Sequence, residues 1–314
     1  METEKKYWVL AYYHFVELNA PEEVTLHKTF FEGRNVSGRI YVSAEGINGQ
    51  MSGYEEDAIA YMQWMRSREE FKNMEFKVHK HHENAFPRMT IKLKKQLVAI
   101  DEKVDLSKRG KSLSPKEWKE MLEKNEAILI DVRNSYETKV GHFKNAICPD
   151  LETFREFPKF ARDLKKQYDP KSAKIMMYCT GGIRCELYSA LMKEEGFENI
   201  YQLDGGVIKY GLEEGEDHWL GKLFVFDDRL TIPISDNENS TIIGSCVHCG
   251  QLSETYYNCA NMDCNELFIA CKNCLDEYKG CCQQGCTCAE RLRAYHKDNT
   301  HKPFRRMHLL NTQE

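Results

Sequence analysis

Apolar positions change their spacing several times along the 314 residues. Residues 7–15 are aromatic and β-branched, 21–32 open on Pro-Glu-Glu, and 39–43 form a short apolar run. The spacing predicts strand, helix and strand. Residues 45–49 (Glu-Gly-Ile-Asn-Gly) read as a turn, 54–68 carry Ile59, Met62 and Met65 at helical intervals, and 76–79 and 90–100 return as strands. Residues 101–112 are polar and charged. Ser114-Pro115-Lys116-Glu117 then supplies an N-cap, a first-turn proline and a first-turn acid. A second series follows, with strands at 127–132, 174–178 and 199–202 and helices at 151–167 and from about 183 to 195. Large apolar residues thin out in the cysteine-rich stretch 246–288.

These patterns predict a multidomain chain of mixed α+β and α/β class. Residues 1–100, in an order close to βαββαβ, fit a ferredoxin-like or acylphosphatase-like sandwich with helices on one face of a sheet. Residues 101–112 read as a linker. Residues 113–220 fit a parallel sheet covered on both faces, whose sites lie at the C-terminal ends of strands. A connecting segment (221–245), a cysteine module (246–288) and a basic tail (289–314) complete the chain.

Composition narrows the function classes. Acidic residues number 49 against 44 basic, a formal charge of −5, and mean hydropathy is −0.62. Any nucleic-acid surface must therefore be local. No apolar run approaches the roughly 20 residues of a membrane span, and METEKKYWVL lacks a signal-peptide pattern. The expected location is the cytoplasm. Ten of the 13 cysteines fall between Cys246 and Cys288, which in a reducing compartment points to metal rather than disulfides.

The remaining three are Cys148, Cys179 and Cys185. Cys179-Thr180-Gly181-Gly182-Ile183-Arg184-Cys185 leaves a predicted strand and enters a predicted helix. Such a loop aims backbone N–H groups and the positive helix end at the first sulfur, which favours a thiolate. Paired glycines let the backbone curl around it, and Arg184 adds a fixed charge. Cys185 is within reach to resolve an oxidised Cys179 as a disulfide. Two small buried cysteines at a strand–helix junction are the bland alternative. Four residues separate Cys179 from Arg184, one fewer than a phosphatase loop needs.

Within the module, Cys246/Cys249, Cys259/Cys264, Cys271/Cys274 and Cys282/Cys286 form four pairs with metal-ligand spacing, enough for two zinc sites of four thiolates each, structural in role. The pairs can combine sequentially or interleaved, and an Fe–S cluster is the chemical alternative. Cys281, Cys288 and His248 are left outside the ligand set. No Gly-x-Gly-x-x-Gly motif for flavin or nicotinamide occurs, and His296, Asp298 and His301 give only a loose likeness of an iron-binding triad.

Two basic islands stand out. Residues 71–111 hold eleven Lys/Arg against five Asp/Glu, and Arg88, Lys92 and Lys94 share one face of a strand by period two. The tail carries Arg291, Arg293, Lys297, Lys302, Arg305 and Arg306. Both suit phosphate contacts, and on charge alone a solvated face is as good a reading. Tyr12, Tyr13 and Phe86 are candidate base-stacking aromatics.

Ile130-Asp131-Val132-Arg133, Tyr136-Glu137, Gly141-His142, Cys179–Arg184 and Asp204-Gly205-Gly206-Val207 resemble the successive signatures of a rhodanese domain. In that family the loop cysteine carries a persulfide. The resemblance implies a rhodanese-like central domain, a supporting role for the Asp-Val-Arg and Gly-His elements, and a structural Cys148. Together with Ala44–Gly49, Arg88–Lys94, Phe224–Asp227 and Tyr278–Cys282, nearly the whole chain resembles the rhodanese-domain tRNA uridine hydroxylases. That resemblance implies C5 hydroxylation of the wobble uridine with O2 as co-substrate. It further implies Cys179 as catalytic residue and a tRNA anticodon stem-loop as partner. Arg184 and Cys185 are expected to assist, Thr180, Gly181, Gly182 and Ile183 to line the substrate, and Arg88, Lys92 and Lys94 to bind it. A sulfurtransferase passing a Cys179 persulfide and a non-catalytic adaptor are the other readings.

Overall fold

The computed structural model describes residues 6–236 and 240–297, in two compact units divided after Asp101.

In the first unit β1 (Tyr7–Phe15), α1 (Ala20–Phe31), β2 (Ser37–Ser43), β3 (Gly46–Tyr54), α2 (Glu55–Arg66), β4 (Lys77–His81) and β5 (Met89–Leu93) follow in order. The five strands line up as β4-β1-β3-β2-β5, the ferredoxin-like order with one added strand parallel to β2. Both helices start with acids and end with a base, complementing their dipoles. They cover one sheet face, burying Leu10, Tyr12, Ile40, Val42, Ile47 and Met51. Tyr12 belongs to this core: its hydroxyl pairs with that of Tyr61, which in turn meets His27 Nε2 at 2.9 Å.

Of the turn expected at 45–49 only the start remains, at Ala44–Glu45, and β3 takes up the rest because of its glycines. Tyr12 lies over Gly49 so closely that a Cβ there would stand 2.2 Å from its hydroxyl oxygen. Residues that read as turn chemistry are here close-approach chemistry. β5 in turn ends at Leu93, well short of the expected residue 100.

The second unit begins where a linker was expected. Lys111–Leu113 (β6) pairs with Tyr201–Leu203 of the parallel sheet. The preceding residues are tied to a helix by Gly110 N–H to Ser189 Oγ (3.0 Å) and by an Arg109–Glu186 ion pair. Glu102, Lys108 and Arg109 are ion-paired within this unit. α3 (Pro115–Lys124) starts on the expected cap, now a full capping box between Ser114 and Glu117. Then come β7 (Ile128–Asp131), α4 (Ser135–Thr138), β8 (Gly141–Phe143), α5 (Phe157–Leu164), β9 (Lys174–Tyr178), α6 (Ile183–Glu194), β10 (Asn199–Leu203) and α7 (Gly206–Glu214). The sheet runs β6-β10-β9-β7, all parallel, with β9 in its interior. The helix expected at 151–167 is shorter: a 3-10 turn (Phe154–Glu156) leads into α5, with Pro158 in its first turn.

β11 (Trp219–Gly221) pairs with β8, and β12 (Leu223–Phe224) with β13 (Thr231–Ile232). The cysteine module consists of a hairpin, β14 (Tyr256–Asn258) and β15 (Leu267–Ile269), followed by α8 (Lys272–Glu277) and a 3-10 turn (Gln284–Cys288). Among the described residues no helix is long and apolar enough to cross a membrane.

Candidate functional site

β9 ends at Tyr178 and α6 starts at Ile183, so the loop Cys179–Gly182 stands at the C-terminal end of an interior parallel strand. Gly182 adopts φ +101 and its N–H donates to Cys179 Sγ at 3.1 Å. The loop is braced from behind by Asp204-Gly205-Gly206-Val207. Val207 N–H donates to the Cys179 carbonyl (3.0 Å) and Ile208 N–H to that of Thr180 (3.1 Å). Gly206 is at φ +68, and a Cβ on it would lie 2.6 Å from the Cys179 carbonyl and 2.7 Å from Gly182 N. A side chain there is excluded by both backbone conformation and space.

Cys179 and Cys185 are fully buried. Burial pushes the Cys179 thiol up. A hydrogen bond from the Cys185 thiol, the Arg184 charge and the backbone N–H groups of Cys185 and Gly182 more than offset that, bringing it down to about 5 from an ordinary 9.0. Cys185 goes the other way, held well above the ordinary thiol range by burial and by its hydrogen bond to Cys179. The shifts divide the pair into one thiolate, Cys179, and one thiol, Cys185.

Arg184 is occupied by a residue to which the sequence reading assigned no role. Its two terminal nitrogens bind Glu137, Nη2 to Oε2 at 2.8 Å, with Thr180 Oγ1 donating to the same oxygen at 3.0 Å. Glu137 also accepts the Asn134 N–H at 3.1 Å as part of a capping box. This carboxylate is fully buried and clamps both ends of the cysteine loop. Asn134-x-x-Glu137, the spacing of a capping box, was the signal in the sequence. Behind it, the buried Asp131–Arg133 pair (2.6 Å) directs Arg133 to the Gly141 carbonyl, which gives the Asp-Val-Arg and Gly-His motifs one joint role. Of the loop, Gly181 and Ile183 are half-exposed while Thr180, Gly182 and Arg184 are buried. Cys148 lies exposed on the surface.

The eight module cysteines gather into two groups, Cys246/Cys249/Cys271/Cys274 and Cys259/Cys264/Cys282/Cys286, each with its sulfurs within 4.8 Å of one another. The pairing is interleaved, first with third and second with fourth. Sγ–Sγ separations of 3.7 Å for Cys249–Cys271 and Cys264–Cys282 match the edge of a tetrahedron of thiolates about 2.3 Å from one ion, roughly 3.8 Å. The donor sets therefore fit a single tetrahedral ion each. Cys281 and Cys288 stay outside, and His248 stacks on Tyr278 at 3.8 Å.

In the first unit Arg88, Lys92 and Lys94 are exposed. Of the three candidate stacking aromatics, Tyr12 and Phe86 are buried and Tyr13 is half-exposed. Asp298, His301, Lys302, Arg305 and Arg306 lie outside the described residues.

Three family models match the chain: an acylphosphatase-like domain, UPF0176, over residues 7–97, a rhodanese-like domain over 114–212, and a rhodanese C-terminal region over 220–287. A tRNA uridine(34) hydroxylase of Protochlamydia amoebophila is 57% identical over 310 residues, covering 98% of this chain and 97% of that protein. One of Chlamydia felis is 54% identical, covering 99% and 96%. The chain belongs to the tRNA uridine(34) hydroxylase family. Membership of the tRNA uridine(34) hydroxylase family agrees with the likeness carried by the motifs, and the matched models agree with the acylphosphatase-like and rhodanese-like assignments.

Proposed function

We propose that this protein hydroxylates the wobble uridine of tRNA at C5, giving 5-hydroxyuridine, with one atom of O2 entering the base. The observation that carries this is the Cys179 loop, whose Gly182 N–H donates to the sulfur at 3.1 Å, in a chain 54–57% identical over nearly its full length to proteins named for that activity. The Cys179 thiolate adds to C6 of the uracil, and the electrons of the C5–C6 double bond move onto C5 and O4. C5 becomes the electron-rich centre that meets oxygen. C5 takes up O2 as a hydroperoxide, loss of the C5 proton and departure of Cys179 restore the double bond, and the freed Cys179 thiolate accepts the outer oxygen as a sulfenic acid, leaving 5-hydroxyuridine. The buried Cys185 thiol stands ready to condense with an oxidised Cys179, releasing water and forming a disulfide.

Arg184 acts here as a positioning residue, since Glu137 already binds both of its terminal nitrogens. The Gly182 and Cys185 N–H groups are directed at the Cys179 sulfur, and Gly181 and Ile183 form the accessible rim of the loop. Arg88, Lys92 and Lys94 supply phosphate contacts to the anticodon stem-loop. The two four-cysteine sets hold structural Zn2+, the ion that thiolate tetrahedra of this size suit, and the protein works in the cytoplasm.

The test is mass spectrometry of nucleosides from unmodified tRNA incubated in air with the wild type or Cys179→Ala. One added oxygen on uridine, absent with the variant, is expected. Added sulfur, or no change alongside cyanolysable sulfur on Cys179, would return the protein to sulfur transfer.

A further inference from the structure

The sheet of the first unit has a second face. Strand register places Lys77, Ala11, Gln50, Arg39 and Thr90 in one row across the five strands. Tyr13, Asn48, Tyr41 and Lys92 form the next. None of these side chains points toward α1 and α2, whose core takes the alternate positions. One end of this face is closed: Ala85 and Phe86 pack on Val9, and Ala85 N–H donates to Ser52 Oγ at 3.1 Å. In the two rows beyond, Tyr13, Tyr41, Arg39, Asn48, Gln50 and Thr90 are half-exposed and Lys92 is exposed, as is Lys94 beside them.

Charge and rings are joined on this face. Lys94 Nζ lies 4.7 Å from the centroid of Tyr41, and Lys77 Nζ 5.1 Å from that of Tyr13. Tyr13 and Tyr41 sit one strand apart on either side of Asn48, about 10 Å at ordinary strand spacing. Flat rings, each with an ammonium at its edge or face, match a chain whose bases are flat and whose linkers are anionic. The amides of Asn48 and Gln50 on the strand between them, and the Thr90 hydroxyl on β5 beyond Tyr41, are able to bond base edges. A paired helix offers phosphates but keeps its bases stacked inside, so it would use the lysines and leave the rings idle.

We infer that this open sheet face is a platform for unpaired RNA, with bases stacking on Tyr41 and Tyr13 and phosphates held by Arg39, Lys92 and Lys94. The inference rests on the proposed action on RNA and extends it from a basic stripe to a surface that reads single-strandedness. It also accounts for Lys92, Lys94 and Lys95 clustering in and just after β5 of a chain of net negative charge.

The test uses the full chain and two fluorescent probes, an unmodified RNA hairpin with a uridine-containing loop and a blunt RNA duplex of the same stem, followed by anisotropy across a salt series. Wild type is expected to prefer the hairpin. Tyr41→Ala is expected to weaken hairpin binding by about 5- to 150-fold, the range for loss of one stacked base, with an unchanged salt slope, while Tyr41→Phe stays near wild type. Lys92→Gln with Lys94→Gln is expected to lower the log–log salt slope by about 1.4. Equal binding of hairpin and duplex, or Tyr41→Ala binding the hairpin as tightly as wild type, overturns the platform. Nucleoside mass spectrometry on the same preparations separates the two proposals. Oxygen on uridine with affinity indifferent to Tyr41 removes the platform alone. Tyr41-dependent binding without oxygen on uridine removes the hydroxylase reading alone.

Discussion

Cys179 sits where a thiol would ordinarily lose its charge, because a buried sulfur anion is costly. The cost is met locally: one thiol, one guanidinium and two amides converge on it. Its folded-state value of about 5 lies below the ordinary 9.0. Between these values the unfolded chain holds the proton and the folded chain does not, so this thiolate adds stability as pH rises from 5 to 9 and none below 5. Alkylation of Cys179 by iodoacetamide, followed by peptide mass spectrometry, should therefore run at a constant rate from about pH 6 to 9 and fall with a midpoint of about 5. A midpoint at or above 9 would mean a thiol that the loop does not activate. Glu137 belongs to the same residue-scale argument. Removing it leaves Arg184 buried and unpaired, a situation that costs about 3–5 kcal/mol. Glu137→Ala should accordingly lower stability by that amount in chemical denaturation.

At the scale of elements, the loop and the turn at Gly205-Gly206 are one object, since the Val207 and Ile208 amides that follow the turn hold the loop's carbonyls and the missing side chain of Gly206 leaves room for the Gly182 amide. Gly206→Ala should cost more than the ~1 kcal/mol of a simple φ effect, because the new Cβ meets backbone on two sides. It should also raise the alkylation midpoint of Cys179 by displacing Gly182 N–H. An unchanged midpoint would make the turn a spectator. Such dependence explains what was legible in the sequence. The thiolate loop could be read because its requirements are local: two glycines, a cation and a strand–helix junction within a few consecutive residues. β3 could not, because Gly49 answers to Tyr12, on a different strand. Interleaved metal sites are equally non-local, since pair spacing is the same for either combination. Tyr41 is equally illegible, because Lys92 and Lys94 reach it only through a parallel pairing between strands far apart in the chain.

At the scale of the whole second unit, the cysteine module is bound to the elements that position the loop. Tyr256 at the start of the hairpin donates its hydroxyl to the Tyr136 carbonyl, next to Glu137. Lys222 pairs with Glu254. Tyr256 and Ile269 share an apolar cluster with Val140, Phe224 and Leu230, and Phe226, which packs on that cluster, has the Arg184 guanidinium 5.9 Å from its ring. A segment with so few large apolar residues would depend on the two ions proposed for it. Stripping the metal with a strong chelator should therefore remove two ions per chain. It should also withdraw Tyr256 and Ile269 from the cluster, a loss of about 5 kcal/mol of apolar burial. For a unit of this size that corresponds to a fall in Tm of ~10–20 °C. The same treatment should move Cys179 alkylation toward ordinary thiol behaviour, because the helix carrying Glu137 loses its outer support and Arg184 with it. Elemental analysis, calorimetry and the alkylation profile on one chelated sample decide the point. If the ions leave and Tm falls while the Cys179 midpoint stays at about 5, the module supports only itself.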